Sequence, residues 1–379
     1  MSARRSNGPG IATRVFGSQW FVSVLAVLIA FAIGAILIAL SGASVVDAYY
    51  AMFRGSIVDP NAANAVRMIK PLTDSLFYSI PLIISGLGLA LGFRAGLFNI
   101  GGKGQIIVGA LAAVWVGFAV NLPPVLHTLV ALLVAVIAGG LYGGIAGVLK
   151  AKTGANEVIV TIMLNSIATL GLGYTLAQKA WQVPGTNQPV TPKVAESAAL
   201  ARLLPAPFKL HVGFLVALVA LVAFWWLIER STLGFQIRAV GANAAAARTA
   251  GISVERITAI TMVLSGAFLG LAGANEALGT IGYVSRDVAG SIGFDAITVA
   301  LLGRNKTWGT FGAGLLFGAF KAGGYTMQAK GVPIDMILIL QSVIVLLIAA
   351  PALVRWLFRL PDVRALAANT RKENADEHK

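Results

Sequence analysis

Long runs of apolar residues, separated by short polar segments, recur along almost the whole chain. Ten segments are predominantly apolar, and most of them approach the roughly 20 residues that a helix needs to cross about 30 Å of hydrocarbon. These segments are residues 20–42, 72–92, 105–122, 125–149, 158–178, 211–228, 257–278, 291–303, 308–327 and 334–354. The pattern predicts an all-α, polytopic transmembrane helical bundle of about ten helices.

An even number of spanning helices places both ends of the chain on the same side of the membrane. We therefore predict a cytoplasmic N-terminal tail (1–19), a transmembrane domain (20–355) and a cytoplasmic C-terminal tail (356–379). Glycine and polar residues interrupt both halves of this domain, at 96–104 and at 279–293, which is typical of a five-plus-five inverted repeat with a solute path near the membrane midplane.

The segment 291–303 is shorter than the other apolar segments. Its 13 residues make a helix of only about 20 Å, which cannot cross the hydrocarbon alone. We predict a half-helix or a re-entrant piece buried in protein.

Composition and the distribution of charge agree with a membrane protein. The chain is 57% hydrophobic and 12% charged, and its formal net charge is +14. Nineteen of its 29 Lys and Arg residues fall in predicted cytoplasmic segments and nine in outer loops, while Lys321 alone falls inside a predicted span. This asymmetry follows the positive-inside rule for a multi-pass protein of a bacterial inner membrane, and it argues against nucleic acid as a partner.

Reaction chemistry finds little support in the sequence. The chain has no cysteine and three histidines, of which two lie near predicted outer ends and one in the tail. A buried serine–histidine pair or an aspartate pair is therefore not expected, and we predict no catalytic residue, no metal site and no enzyme activity. The run Gly101-Gly102-Lys103-Gly104 lacks the remaining positions of a phosphate-binding loop, so we expect no nucleotide site on this chain.

The largest predicted inner loop, residues 229–256, contains a short helix signal. Asn243 is a favourable N-cap, four alanines follow it, and Gly251 supplies a C-terminal stop. A helix of two turns is marginal alone in water, so something must hold it. That support is either a partner protein or the inner surface of this same chain.

Three segments together resemble the permeases of ATP-binding-cassette (ABC) importers for ribose, nucleosides and branched-chain amino acids. They are Phe93-Arg94-Ala95-Gly96-Leu97-Phe98-Asn99-Ile100-Gly101, Asn156-Glu157-Val158-Ile159-Val160-Thr161-Ile162-Met163-Leu164-Asn165 and the loop 241–252. The first two are most similar to the nucleoside-type branch, which also serves simple sugars. The resemblance covers about residues 20–355.

The resemblance implies a division of labour among several proteins. A cytoplasmic ABC ATPase would carry ATP and magnesium, an extracytoplasmic binding protein would deliver the solute, and a second permease, either a different chain or a copy, would complete the path within the lipid.

In this family the short inner-loop helix couples the permease to the ATPase. The positions that match the family pattern or shape the helix are Gly241, Asn243, Ala246, Ala247, Arg248, Gly251 and Ile252. Ala244 and Ala245 stand where the family usually has Pro and Glu, so a contact made through that carboxylate is absent here.

Polar groups at membrane depth mark a candidate solute path, because such groups are costly in lipid. We assign to it Phe98, Asn99, Asn165, Asn275, Glu276 and Asp295. The amides could instead join helices by hydrogen bonds, and Asp295 could accept from a ribose hydroxyl or pair with a basic group. The predicted function is import of a nucleoside or related ribose-containing compound, and the alternative is a secondary transporter of a small polar solute.

Overall fold

The computed structural model describes residues 19–329 and 331–333, and the pairs 338–339, 342–343 and 346–347. The chain divides into two compact units, Met52–Gly323 and the combination of Met1–Ala51 with Gly324–Lys379. Most of the predicted segment 334–354 and of both predicted tails lies outside the described residues.

The described part of the chain is helical, as predicted. Its α-helices are α1 (Gln19–Leu40), α2 (Val45–Ser56), α3 (Ala65–Arg94), α4 (Gly102–Ala119), α5 (Leu126–Thr153), α6 (Glu157–Ala177), α7 (Gly213–Trp225), α8 (Thr232–Ala242), α9 (Ala244–Thr249), α10 (Val254–Asn275), α11 (Ile292–Leu302) and α12 (Thr307–Gln328). Wider π-helical turns extend α7 through Trp226–Arg230 and α10 through Glu276–Ile281.

Six of these helices are long and apolar enough to cross a membrane, judged by length and composition among the described residues. They are α3, α4, α5, α6, and α7 and α10 with their extensions. The prediction of a polytopic helical bundle is thereby confirmed. The count of ten, the inverted repeat and the side on which the ends lie stay predictions.

The smaller unit contains α1 and the first part of α2. The Tyr49 hydroxyl donates a hydrogen bond of 2.5 Å to the carbonyl oxygen of Phe31. The two aromatic rings also pack edge to face, with their centroids 5.4 Å apart. These contacts hold α2 against α1.

The core of the larger unit is the packing of α5 against α10. A Cβ atom added at Gly139 would lie 2.5 Å from the carbonyl oxygen of Gly266, and one at Gly143 would lie 2.6 Å from that of Met262. Side chains at these positions would push the two backbones apart. Glycines four residues apart therefore let the two helices approach closely, which is the usual effect of small residues at this spacing in membrane helices.

The chain turns back into the bundle after α3. Gly96, with φ +72°, follows the helix end, and the N–H of Leu97 donates 2.9 Å to the carbonyl oxygen of Gly92. This bond across the last turn is typical of a glycine helix stop. The chain then runs back along α3, so that Asn99 is buried beside Ser265 of α10.

At one end of the bundle, the capping loop, residues 179–212, covers the ends of α4 and α10. Its prolines disfavour a long helix, and the only helical segment in it is the 3-10 turn Lys179–Trp181. Backbone hydrogen bonds join Thr191 to Val284 (3.0 Å), Ala195 to Gly117 (2.8 Å) and Leu200 to Leu278 (3.1 Å).

Helix α11 has 11 residues, which corresponds to about 17 Å. The prediction that this segment is too short to span is confirmed. It packs against α3, where a Cβ at Gly86 would lie 2.8 Å from a methyl carbon of Val299. Its first turn also touches the start of α4.

Candidate functional site

The predicted short helix is present as α9. The Asn243 side chain accepts a hydrogen bond of 3.0 Å from the N–H of Ala246 at its start. At its end, the N–H of Ile252 donates 3.0 Å to Ala247, and Gly251 adopts φ +84°. The helix therefore has the two caps that the sequence predicts, with glycine in the left-handed conformation that side chains disfavour.

A close backbone contact fixes the end of α8, directly before α9, to the rest of the bundle. A Cβ at Gly241 would lie only 2.1 Å from the carbonyl oxygen of Arg94, at the end of α3. The Arg94 guanidinium in turn donates 2.7 Å to the carbonyl oxygen of Asn305. We call this region, residues 94–96, 229–253 and 303–306, the coupling end of the bundle. Two segments of the family resemblance thus meet in space.

An open groove lies beside α9 at the coupling end. It has a volume of about 580 Å³. Its lining residues are Thr232, Phe235, Gln236, Ala239, Ala242, Asn243, Ala246, Ala247, Ala250 and Ile252. Phe235 is 60% exposed whereas Ala247 is buried, so α9 is anchored on one side and accessible on the other.

Arg248, the one charged residue of α9, forms an ion pair with Glu255. The pair measures 2.5 Å, and both side chains are more than half exposed. Exposed pairs of this kind contribute little to stability. Arg248 therefore remains accessible at the coupling end.

The two predicted path asparagines at the start of α4 and on α6 have all their polar groups bonded. Asn99 donates to Gln105 (3.0 Å) and Ser265 (2.9 Å) and accepts from the N–H of Gly101 (2.9 Å). Asn165 donates 2.8 Å to the carbonyl oxygen of Ile100 and accepts 2.8 Å from the N–H of Gly104. These amides shape the glycine-rich turn before α4.

Phe98 precedes that turn and is 37% exposed. Its ring packs against Phe93 at 4.9 Å, and its N–H lies 3.4 Å from a carboxylate oxygen of Glu157. That carboxylate also pairs with Lys150 at 2.6 Å. Phe98 is thus held near the start of α6.

Asn275 lies next to a histidine at the opposite end of α10. Its amide donates 3.2 Å to the carbonyl oxygen of Gly213, while its side-chain oxygen has no hydrogen-bond partner among the described residues. His211 accepts 3.1 Å from the N–H of Gly213 through Nδ1, so the neutral ring carries its proton on Nε2, which likewise lacks a partner in that part of the chain. Both side chains are buried.

Glu276 and Asp295 share an electrostatic neighbour. Glu276 is hydrogen-bonded to Thr280, and Asp295 accepts 2.6 Å from the hydroxyl of Ser291. Lys321 of α12 interacts electrostatically with both carboxylates. All three ionisable side chains are half-buried, so the structure brings together charges that sequence reasoning treats one by one.

A second groove, which we call the α4–α6 groove, has a volume of about 630 Å³. Its lining residues are Ile100, Lys103, Ile162, Asn165, Ser166, Thr169, Leu170 and Phe294. Of the predicted path residues, only Asn165 lines it. Asn99 directly precedes the lining residue Ile100, and Asp295 directly follows the lining residue Phe294.

Sequence reasoning missed Lys103. Lys321 was the one basic residue expected inside a span, but Lys103 is the second residue of α4, one of the six apolar helices. The reversal of the chain at Gly96 moves this lysine inward. The glycine-rich interruption was the one signal in the sequence that pointed to this region.

No group of three or more histidine, cysteine or acidic side chains could hold a metal ion among the residues that the structure describes. The arrangement offers an open groove at one end, two polar regions along the bundle and a loop that covers the other end. These are the parts of a conduit.

Comparison with known proteins identifies the kind of conduit. Residues 72–349 match the family described as the permease component of the branched-chain amino acid transport system. The guanosine ABC transporter permease protein NupP of Bacillus subtilis is 40% identical, and the match covers 89% of this chain and 95% of that protein. No solved structure matches the chain.

Other relatives are named for different solutes. The glucose ABC transporter permease protein TsgB13 of Haloferax volcanii is 35% identical over 85% of each chain. The nucleoside ABC transporter permease protein NupB of Lactococcus lactis is 31% identical, with 92% of this chain and 95% of that protein covered.

These matches confirm the predicted transport function, the membrane localisation and the assignment to a transport subunit rather than an enzyme, and they favour ATP-driven import over the secondary-transport alternative. ABC permeases work with an ATPase and a solute-binding protein. The chain belongs to the permease family of ABC importers described as the permease component of the branched-chain amino acid transport system.

Proposed function

We propose that this chain forms one half of the membrane path of an importer for nucleosides or related ribose-containing compounds. The relatives that are 40% and 31% identical are named for guanosine and nucleosides, and the relative that is 35% identical is named for glucose. A nucleoside joins a base to the sugar ribose, so solutes of both kinds named in these relatives share a sugar ring.

The coupling end carries the second part of the proposal: residues 243–251 dock on the ATPase in the cytoplasm. The main observation is that α9 follows the end of α8 that Gly241 fixes against α3, and is buried at Ala247, yet borders an open groove in which Phe235 of α8 is exposed. A helix of six residues does not persist alone. Its own chain holds one side, and the groove leaves the other side free for a partner.

The second permease is a different chain in this proposal. Lactococcus lactis has two nucleoside permeases that match this chain, NupB at 31% and NupC at 27% identity. Bacillus subtilis likewise has NupP at 40% and NupQ at 29% identity. Pairs of related but unequal permeases in one organism support a heterodimer.

The solute path in this proposal runs along both polar regions. Glu276 and Asp295, which both interact electrostatically with Lys321, would form a polar part of the solute path near the π-helical end of α10. Asn275 lies at the same end. Phe98, Asn99 and Asn165 would support the wall of the path beside the α4–α6 groove.

Substitution of Ala247 by proline tests the docking step. The N–H of Ala247 donates 2.9 Å to the carbonyl oxygen of Asn243. Proline removes this donor and clashes with the preceding turn, which costs about 3 kcal/mol. We expect the variant to insert into the membrane but to lose solute-stimulated ATP hydrolysis, uptake and co-purification of the ATPase.

Ala244→Pro is the matched control. Ala244 is the first residue of α9, where proline is tolerated because the N–H has no partner within the helix. This variant should couple normally. Normal association and stimulation with Ala247→Pro would show that the loop is only a connector.

Uptake by the reconstituted importer tests the solute class. Labelled guanosine, adenosine, ribose, glucose and leucine would each be supplied to vesicles containing both permeases, the ATPase and the binding protein. Import of a nucleoside or ribose supports the proposal. Import of leucine alone contradicts it.

A further inference from the structure

Lys103 is a charged residue in the α4–α6 groove that has no partner in the described part of the chain. It is absent from the ion pairs and hydrogen bonds found there, and no carboxylate lines the groove. The neighbouring Asp295 is bonded to Ser291 and interacts with Lys321. No ion pair or hydrogen bond therefore neutralises the Lys103 ammonium within the described part of the chain.

The groove lies well along the bundle. Asn165 and Thr169, which line it together with Lys103, stand eight and twelve residues after Glu157, where α6 begins. At about 1.5 Å per residue, these positions are about 12 and 18 Å along that helix. A lysine at membrane depth costs a few kcal/mol and is a functional-site candidate for that reason.

The backbone around Lys103 is fixed from the other side. A Cβ added at Gly293 would lie 2.5 Å from the Lys103 nitrogen atom of the main chain. Gly293 belongs to α11, and the next residue, Phe294, is 54% exposed and lines the groove. The lysine and the phenylalanine ring are thus held on adjoining walls.

Besides Lys103 and the Asn165 amide, whose oxygen and nitrogen are both hydrogen-bonded, the other polar side chains of the groove carry hydroxyls. Ser166 is exposed and makes no hydrogen bond in the described part of the chain. The Thr169 hydroxyl donates 2.8 Å to the carbonyl oxygen of Asn165 and can still accept. The groove therefore combines a cationic donor, hydroxyls and an aromatic face, in a volume typical of small-molecule sites.

We propose that the α4–α6 groove is a solute-binding station, in which Lys103 donates to the acceptor edge of a 6-oxopurine nucleoside and Phe294 stacks on its base. An ammonium pairs well with the adjacent O6 and N7 acceptors of guanine, whereas adenine presents an amino donor at position 6. The ammonium also repels cationic solutes. This inference rests on the proposed nucleoside import and adds the discriminating residue.

The test measures the ratio of guanosine and inosine uptake to adenosine uptake by the complete reconstituted importer. Each nucleoside is supplied at a concentration that saturates the binding protein, so that the membrane step limits the rate. Lys103→Met should lower guanosine and inosine uptake about tenfold relative to adenosine uptake. Lys103→Arg should retain the preference.

Lys152→Met is the matched control, since Lys152 is exposed in the last turn of α5 and outside the groove. It should leave the ratio unchanged. Phe294→Leu should slow all nucleosides more than free ribose, because only the base stacks.

An unchanged uptake ratio in Lys103→Met would overturn the inference, including the case in which uptake of every solute falls equally because the complex assembles poorly. Failure of the wild-type importer to move any nucleoside would instead contradict the proposed function. The two failures are therefore distinguishable.

Discussion

Gly241 offers a direct test of how the coupling end transmits motion, because this position has no room for a side chain. In Gly241→Ala the new Cβ would start 2.1 Å from the Arg94 carbonyl oxygen, whereas ordinary contacts begin at 3.4 Å. Relief of the clash requires a displacement of about 1.3 Å in a close-packed region. Overpacking of this kind costs about 1–3 kcal/mol.

The displacement matters more for coupling than for folding. Gly241 lies three residues before Ala244, the first residue of α9, and functional groups must be held to within about 0.5 Å. We expect Gly241→Ala to assemble with the ATPase and binding protein while uptake per ATP hydrolysed falls about tenfold, the effect of about 1.4 kcal/mol. Uptake and phosphate release would be measured in the same vesicles.

Gly312→Ala is the control for this substitution. Gly312 also lies inside a helix, α12, but a Cβ there would meet no atom within 4 Å. This variant should couple like the wild type. A Gly241→Ala importer that moves as much solute per ATP as the wild type would refute the reasoning, because the close contact would then be unnecessary for coupling.

Two further substitutions address the polar groups of the bundle. Asp295→Asn keeps a hydrogen-bond acceptor for Ser291 but removes the negative charge that interacts with Lys321. The initial rate of uptake should fall about tenfold, which corresponds to a loss of about 1.4 kcal/mol, while the complex still assembles. A wild-type rate of uptake would show that Asp295 has only a structural role. His211, which precedes the α7 span, is buried, and burial lowers its pKa from 6.5 to about 4. Since the unfolded chain binds the proton more readily, stability should be complete above about pH 6.5 and fall by up to about 3 kcal/mol towards pH 4. Thermal unfolding of wild type and His211→Gln in detergent checks this, and equal pH dependence of the two would contradict it.

Local signals in the sequence predicted much of the coupling end. Caps and helix propensity act between residues that are close along the chain, so Asn243 and Gly251 mark the ends of α9 without knowledge of the fold. The close approach of helices at Gly139 and Gly143 was likewise predictable from spacing. The helix that packs against each such glycine surface was not predictable, because the spacing of residues on one helix does not identify the helix that contacts it.

The number of spans was harder to predict than the helical fold class. Apolar runs identify helices because each must satisfy its own backbone hydrogen bonds in lipid. Length alone also identified α11 as too short to span. Whether a helix crosses, however, depends on tilt, breaks and neighbours, so the described residues support six spanning helices by length and composition rather than the whole predicted set.

The sequence by itself determined the helical membrane class and the short capped helix, because apolar run length and caps are local properties, and the resemblance of three segments indicated the family. Only the tertiary structure placed Gly241 against Arg94 and turned the chain back at Gly96 to bring Lys103 into a groove. These contacts join residues far apart along the chain. Their positions depend on how the backbones of several helices pack together, which no local pattern encodes.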